Sequence, residues 1–174
     1  MFNVKSRLRH ATAVGALLAC VLLAAACAAK PARGHADGAA IAKADTTALR
    51  ATLDKHLAAI NARDLDALMS TVTDGEKLTT ILPNGKVLAT RDAYHQLHVD
   101  WFKDTDWRMV FAVEDVERLG DAGIARVRYD SQSRQADGSY LSKRVAQLTL
   151  VFQLQQDQWR LVYDQNTVVP PPAD

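Results

Sequence analysis

Cysteine is nearly missing from this 174-residue chain, and neither of its two cysteines lies beyond residue 27. Cys20 and Cys27 both fall in or beside the N-terminal apolar stretch, so the rest of the chain carries no disulfide framework. An excess of one charge is also missing, because 21 basic residues stand against 20 acidic ones. Without a clustered basic face there is no nucleic-acid footprint, and no nucleic-acid partner is expected. Glycine-rich phosphate loops, a nucleophile elbow with Ser–His–Asp order, and Cys-x-x-Cys pairs are all absent. His95 and His98 lie three apart, with Asp92 and Asp100 near them. A metal site usually takes at least three protein ligands on one side, and His98 leans toward an apolar stripe. No metal and no cofactor is therefore expected.

One long apolar run is present. MFNVKSRLRH contains Lys5, Arg7 and Arg9 and no acid, and Ala11–Ala26 follows with only Thr12 and Gly15 as breaks. A basic start, an apolar middle and small residues at its end describe an export signal, residues 1–26. Its 16 apolar-stretch residues fall short of the ~20 that span a bilayer. Leu23-Ala24-Ala25-Ala26-Cys27 resembles a bacterial lipobox, after which the leader is cut and the cysteine acylated. Leu17-Leu18-Ala19-Cys20 is a second, less complete match, since it would strand VLLAAA on the mature chain. Ordinary cleavage at Ala-x-Ala, giving a soluble exported protein, is the alternative. On the lipobox reading Cys20 is discarded and Cys27 blocked. The protein then sits in the bacterial cell envelope, held to a membrane by its lipid. Residues 27–44, rich in Ala and Gly and without periodicity, form a flexible tether. One domain, residues 45–169, remains before a tail at 170–174.

Within that domain Leu49, Leu53, Leu57 and Ile60 repeat at helical spacing. Asp45 or Thr46 caps this helix, Asp64 caps a short second one, and Thr90 caps a third whose stripe is Tyr94, Leu97, His98 and Trp101. Between the second and third, Pro83-Asn84-Gly85 turns a small hairpin. From Trp107 onward the period becomes two, giving four long strands separated by turns at LGDAG, ADGS and QQDQ. The order predicts an α+β fold: three N-terminal helices packed in a curved antiparallel sheet that closes into a cone.

Several stretches carry a family likeness. HLAAINARDLDALMSTVTDG, LPNGKVLATRDAYHQL and WRLVYDQNT resemble the first two helices, the hairpin feeding the third helix, and the last strand of the nuclear transport factor 2 (NTF2)-like superfamily, in its SnoaL-like or DUF4440 branch. The resemblance covers residues 46–168 and implies a cystatin/NTF2-like cone with a working space inside it. That superfamily includes isomerases, cyclases, dehydratases, transport factors and oligomerisation modules, so the likeness supports fold more than function.

Strand alternation nominates the lining. Phe111, Val113 and Asp115 share one parity, as do Val127 and Tyr129, and Trp159, Leu161, Tyr163 and Gln165. Asp164 and Asn166 then face out, unless a bulge swaps that pair of sets. With Tyr94, His98 and Trp101 from the third helix, the expected ligand-binding set is Tyr94, His98, Trp101, Phe111, Tyr129, Tyr163 and Gln165. The leading expectation is a cone that holds a small apolar molecule, or a dimeric accessory module. The alternative is an isomerase, cyclase or dehydratase with Asp115 as general base and Tyr129 or Tyr163 as donor. The two separate on whether an ionisable group lies buried opposite a hydrogen-bond donor inside the cone. A third reading has Trp101, Phe111 and Tyr129 plugging it. On the opposite parity, Val145, Gln147, Thr149, Val151 and Gln153 give a lightly charged outer sheet face suited to a homodimer.

Intact-mass spectrometry of the protein from its native host is expected to show a chain starting at Cys27 with an added acyl mass. A free N-terminus at any other residue contradicts lipidation.

Overall fold

The computed structural model describes residues 45–170. The leader, Cys27 and the tether lie outside the described residues, as do residues 171–174 of the tail.

Helix α1 (Thr47–Ala62) buries the expected stripe Leu49, Leu53, Leu57 and Ile60, and with it His56. Its first turn is fastened by Asp45, whose Oδ1 accepts the Thr47 N–H at 2.9 Å. The helix ends on Arg63, a non-glycine residue at φ 55°. Such a conformation is uncommon for a side chain with a Cβ, and here the guanidinium offsets its cost. Arg63 donates to the carbonyls of Asp104, Thr105 and Trp107 at 3.0, 3.0 and 2.6 Å and lies 4.2 Å over the Trp107 ring. Asn61 adds a reciprocal pair, donating to Met109 O at 2.9 Å and accepting from Met109 N at 3.0 Å. These contacts tie the end of α1 to the strand that begins at Trp107. Asp64 caps α2 (Leu65–Met69) through the Ala67 N–H, and Thr90 caps α3 (Arg91–Trp101) through the Ala93 N–H. Both caps were readable from composition and position.

Six strands form one curved sheet. They are β1 (Lys77–Ile81), β2 (Val87–Thr90), β3 (Trp107–Leu119), β4 (Ala122–Arg134), β5 (Tyr140–Gln155) and β6 (Gln158–Val168), in the order β2-β1-β6-β5-β4-β3. The sequence reading is corrected in one respect. The sheet is mixed, because β1 pairs with β6 in parallel, whereas a wholly antiparallel sheet was expected. The β1–β2 hairpin lies between α2 and α3. The hairpin turns at Gly85, φ 81°. The inner face carries Ala125, Val127 and Tyr129 of β4, Ala146, Leu148, Leu150 and Phe152 of β5, and Trp159 and Leu161 of β6, all buried. Gly123 of β4 admits α1 closely, for a Cβ there would lie 2.5 Å from the Leu49 side chain.

Bulges in β3 and β6 reset which of the expected polar side chains face this core. In β3 the pairing slips between Val113 and Asp115, leaving Glu114 as the extra residue. A bulge moves every later residue to the opposite face. Asp115, expected inside, is therefore exposed on the outer face, 3.6 Å from the Arg126 guanidinium. In β6 the partners of Val151 and Phe152 are Tyr163 and Leu161, so Val162 is the extra residue. Tyr163 and Gln165, also expected inside, turn outward and bond to each other at 2.5 Å. Asp164 and Asn166 turn inward, opposite Leu150 and Leu148.

Candidate functional site

A cavity of about 240 Å³ opens between α1, α3 and the inner sheet face. Helix α1 contributes His56 and Ile60 to its wall, and α3 contributes Tyr94, Leu97, His98 and Trp101. Met109, Phe111, Tyr129, Leu148 and Leu150 supply the sheet side, with Thr80, Leu82 and Pro83 from the hairpin. Of the expected lining, Tyr94, His98, Trp101, Phe111 and Tyr129 are brought together here, while Asp115, Tyr163 and Gln165 are not. The aromatic side chains wall the cavity and leave it open. Trp101, expected as a possible plug, stacks on Trp107 at 4.3 Å between ring centres.

Asp164 is the charged group that the alternation missed. It is buried at 8% exposure. Its one hydrogen-bond partner among the described residues is Asn166 Nδ2, at a long 3.3 Å. A carboxylate removed from water with so little compensation resists ionisation. Burial pushes Asp164 up to about 7. Asn166 is held in one orientation, because its Oδ1 accepts from the Tyr129 hydroxyl at 3.0 Å and its Nδ2 also donates to Ile81 O at 3.2 Å. Burial raises the Tyr129 hydroxyl above its ordinary value, with the Arg144 guanidinium opposing it in part.

A second chain of polar groups lies against α1. The Thr71 hydroxyl donates to Leu68 O at 2.6 Å, so the 2.8 Å contact between Thr71 Oγ1 and His56 Nδ1 must use the histidine proton. That fixes the tautomer by elimination and leaves His56 Nε2 to accept from the Tyr94 hydroxyl, 3.5 Å away. His98 Nδ1 in turn donates to Tyr94 O at 2.8 Å. Burial holds His56 down to about 3 and His98 to about 4, so both rings are neutral at neutral pH. The Tyr94 hydroxyl is held well above 10, chiefly by burial and then by Asp164. Thr80 completes the set. It is the register partner of Asp164 across β1 and β6, 1% exposed, and its Oγ1 has no hydrogen-bond partner among the described residues. Also among those residues, no three His, Cys, Asp or Glu side chains converge to hold a metal ion.

The model of one family, the SnoaL-like domain, matches residues 49–170. This chain belongs to the SnoaL-like family. It is thereby a member of the NTF2-like superfamily. The fold is cystatin-like, as in two solved structures. One is an NTF2-like protein with a cystatin-like fold from Novosphingobium aromaticivorans, at 19% identity and a TM-score of 0.62, over 74% of this chain and 84% of that one. The other is an uncharacterized protein with a cystatin-like fold from Caulobacter vibrioides, at 18% identity and 0.62, over 72% and 90%. A ketosteroid isomerase-like protein from Erwinia carotovora atroseptica matches at 16% identity and 0.58, over 71% and 95%. Identities this low establish the shared fold alone. A search of curated proteins found no match.

In this SnoaL-like domain the buried groups leave a signature in stability. Between an unfolded value near 4 and the folded value of about 7, the native chain keeps the Asp164 proton that the unfolded chain releases. The stability from this group is full below about pH 4 and is lost as pH rises to about 7. The histidines act oppositely. Their contribution is full above the unfolded value of 6.5 and is lost as pH falls through the folded values of about 4 for His98 and about 3 for His56. Replacing Asp164 isolates the first effect. Relative to wild type, Asp164→Asn is expected to gain on the order of 4 kcal/mol between pH 4 and pH 8, read by urea unfolding. A difference that stays flat with pH would show that the carboxyl is not shifted.

Proposed function

We propose that the cavity binds a small, largely apolar molecule carrying one oxygen function, and that Asp164 exchanges a proton with it. The observation that carries this reading is Asp164 itself, a carboxyl buried inside the cavity beside Tyr94, Tyr129 and Asn166. This is the arrangement that separates an acid–base site from a bare binding cone. A group that titrates near neutral pH is half in each form there, so it can take a proton and return it. Apolar walls strengthen any hydrogen bond made inside them. The unpartnered Thr80 hydroxyl beside Asp164 supplies a place for the ligand oxygen. The corresponding reaction class is proton transfer next to a carbonyl, as in isomerases, cyclases and dehydratases. The neighbour named ketosteroid isomerase-like points the same way by analogy only.

Two further parts of this reading rest on the sequence. The leader and Cys27 support export and lipid anchoring in a bacterial cell envelope, with soluble export as the alternative. The outer sheet face supports a homodimer. Val145, Gln147, Thr149 and Val151 share it with Tyr163 and Gln165, which the β6 bulge adds.

The test is hydrogen–deuterium exchange of small linear and cyclic ketones in D₂O, followed by NMR. At least one ketone is expected to lose its C–H signal next to the carbonyl with wild-type protein, and Asp164→Asn to exchange it roughly 10²-fold more slowly or worse. Exchange of no ketone, or exchange by the variant at the wild-type rate, contradicts the proposal.

A further inference from the structure

Arg144 is a charged residue of the cavity that the proton-transfer reading does not use. In β5, Ser131 pairs with Arg144 but Gln132 pairs with Ser142, which leaves Lys143 as the extra residue of a bulge. Arg144 thus falls in the row of Ala146, Leu148 and Leu150 on the inner face, and it borders the cavity. It is exposed, whereas Thr80 and Asp164 are buried, so it marks the open end. Its guanidinium lies near the Tyr129 hydroxyl.

Two other arginines of this sheet have carboxylate partners. Arg126 sits 3.6 Å from Asp115, and Arg160 3.6 Å from Asp74. Among the described residues no carboxylate lies within ion-pair distance of Arg144. Asp164 does not serve as that partner, since it forms no ion pair among the described residues. The cavity therefore has a guanidinium at the mouth and a carboxyl and a hydroxyl deep inside, with Tyr129 and Asn166 between them along the sheet and Ile60, Leu97 and Trp101 as apolar wall on the helix side. A guanidinium presents a planar fork of donors that matches a carboxylate, and it keeps its charge at any accessible pH.

The geometry points to an amphipathic carboxylate as the class of molecule this pocket takes. Its apolar body lies against Ile60, Leu97, Trp101, Phe111 and Leu148, its carboxylate on Arg144, and its oxygen function at Thr80 and Asp164. The assignment rests on the reading of this cavity as a small-molecule site. It adds the charge and the direction of the ligand.

A matched pair of probes tests it, octanoate and 1-octanol, with binding measured by calorimetry at low ionic strength. Wild type is expected to prefer the acid by about tenfold or more, the scale of a charge-assisted hydrogen bond. In Arg144→Gln the acid-to-alcohol ratio is expected to fall to near one. Arg144 also borders an outer crevice with Arg128 and Lys143. Lys143→Gln is therefore the control, and it is expected to keep the wild-type ratio, as a general basic field would not. If wild type binds both probes equally, or if Lys143→Gln abolishes the preference, the anion end is overturned while the pocket reading stands. If neither probe binds, both fail together.

Discussion

A single inserted residue in the last strand sets the chemistry of this domain. Val162 has no cross-strand partner of its own, and its presence turns Asp164 and Asn166 toward the helices and Tyr163 and Gln165 away from them. Without that slip the cavity would hold Tyr163 and Gln165 in place of Asp164 and Asn166, and no acid. With it, a carboxyl is placed among Leu148, Leu150 and Tyr94 with one long hydrogen bond. Such burial is unfavourable to folding, and the rest of the core must hold it. The fastening of α1 does so from one side, through Asn61 and Arg63 on the start of β3. The core row Leu49, Leu53 and Leu57 packed on the sheet does so from the other.

Burial also sorts the titratable groups into roles. His56 and His98 are neutral and their ring orientations are fixed by Thr71 and by the Tyr94 carbonyl, so they act as shaped, polarisable wall. Tyr94 and Tyr129 keep their protons and spend them within the protein, on His56 and Asn166. Asp164 and Thr80 remain under-partnered, and they are neighbours in register. Groups whose hydrogen bonds are incomplete in a buried apolar setting are where a ligand oxygen gains most.

Much of this was readable in the sequence. The helix stripes, the caps Asp64 and Thr90, the Asn84-Gly85 turn and the four long strands follow from periodicity and local chemistry. The parallel β1–β6 pairing was not, because it joins segments about eighty residues apart and leaves no local mark. The β3 bulge was not expected, and the β6 bulge was allowed for but not placed, although each left a trace. Val113 and Val116 are three apart, with two acids between them, where strict alternation would place inward residues two apart. Leu161-Val162-Tyr163 is a run of three apolar residues in which the phase of a strand is ambiguous. Reading those runs as phase slips would have exchanged Asp115 for Asp164 as the candidate acid. His56 and Thr80 were missed for a different reason. A lone histidine in a leucine stripe reads as packing, and a threonine in a short strand carries no signal until its partner strand is known.

The account stands on the ionisation of one side chain. Labelling aspartate carboxyl carbons with ¹³C and following their chemical shifts from pH 3 to pH 9, with Asp164→Asn to assign the signal, measures it directly. The account predicts a midpoint for Asp164 of about 7. A midpoint in the ordinary aspartate range, near 4, would mean that water or a cation reaches the carboxyl, and the proposed proton exchange would lose its physical basis.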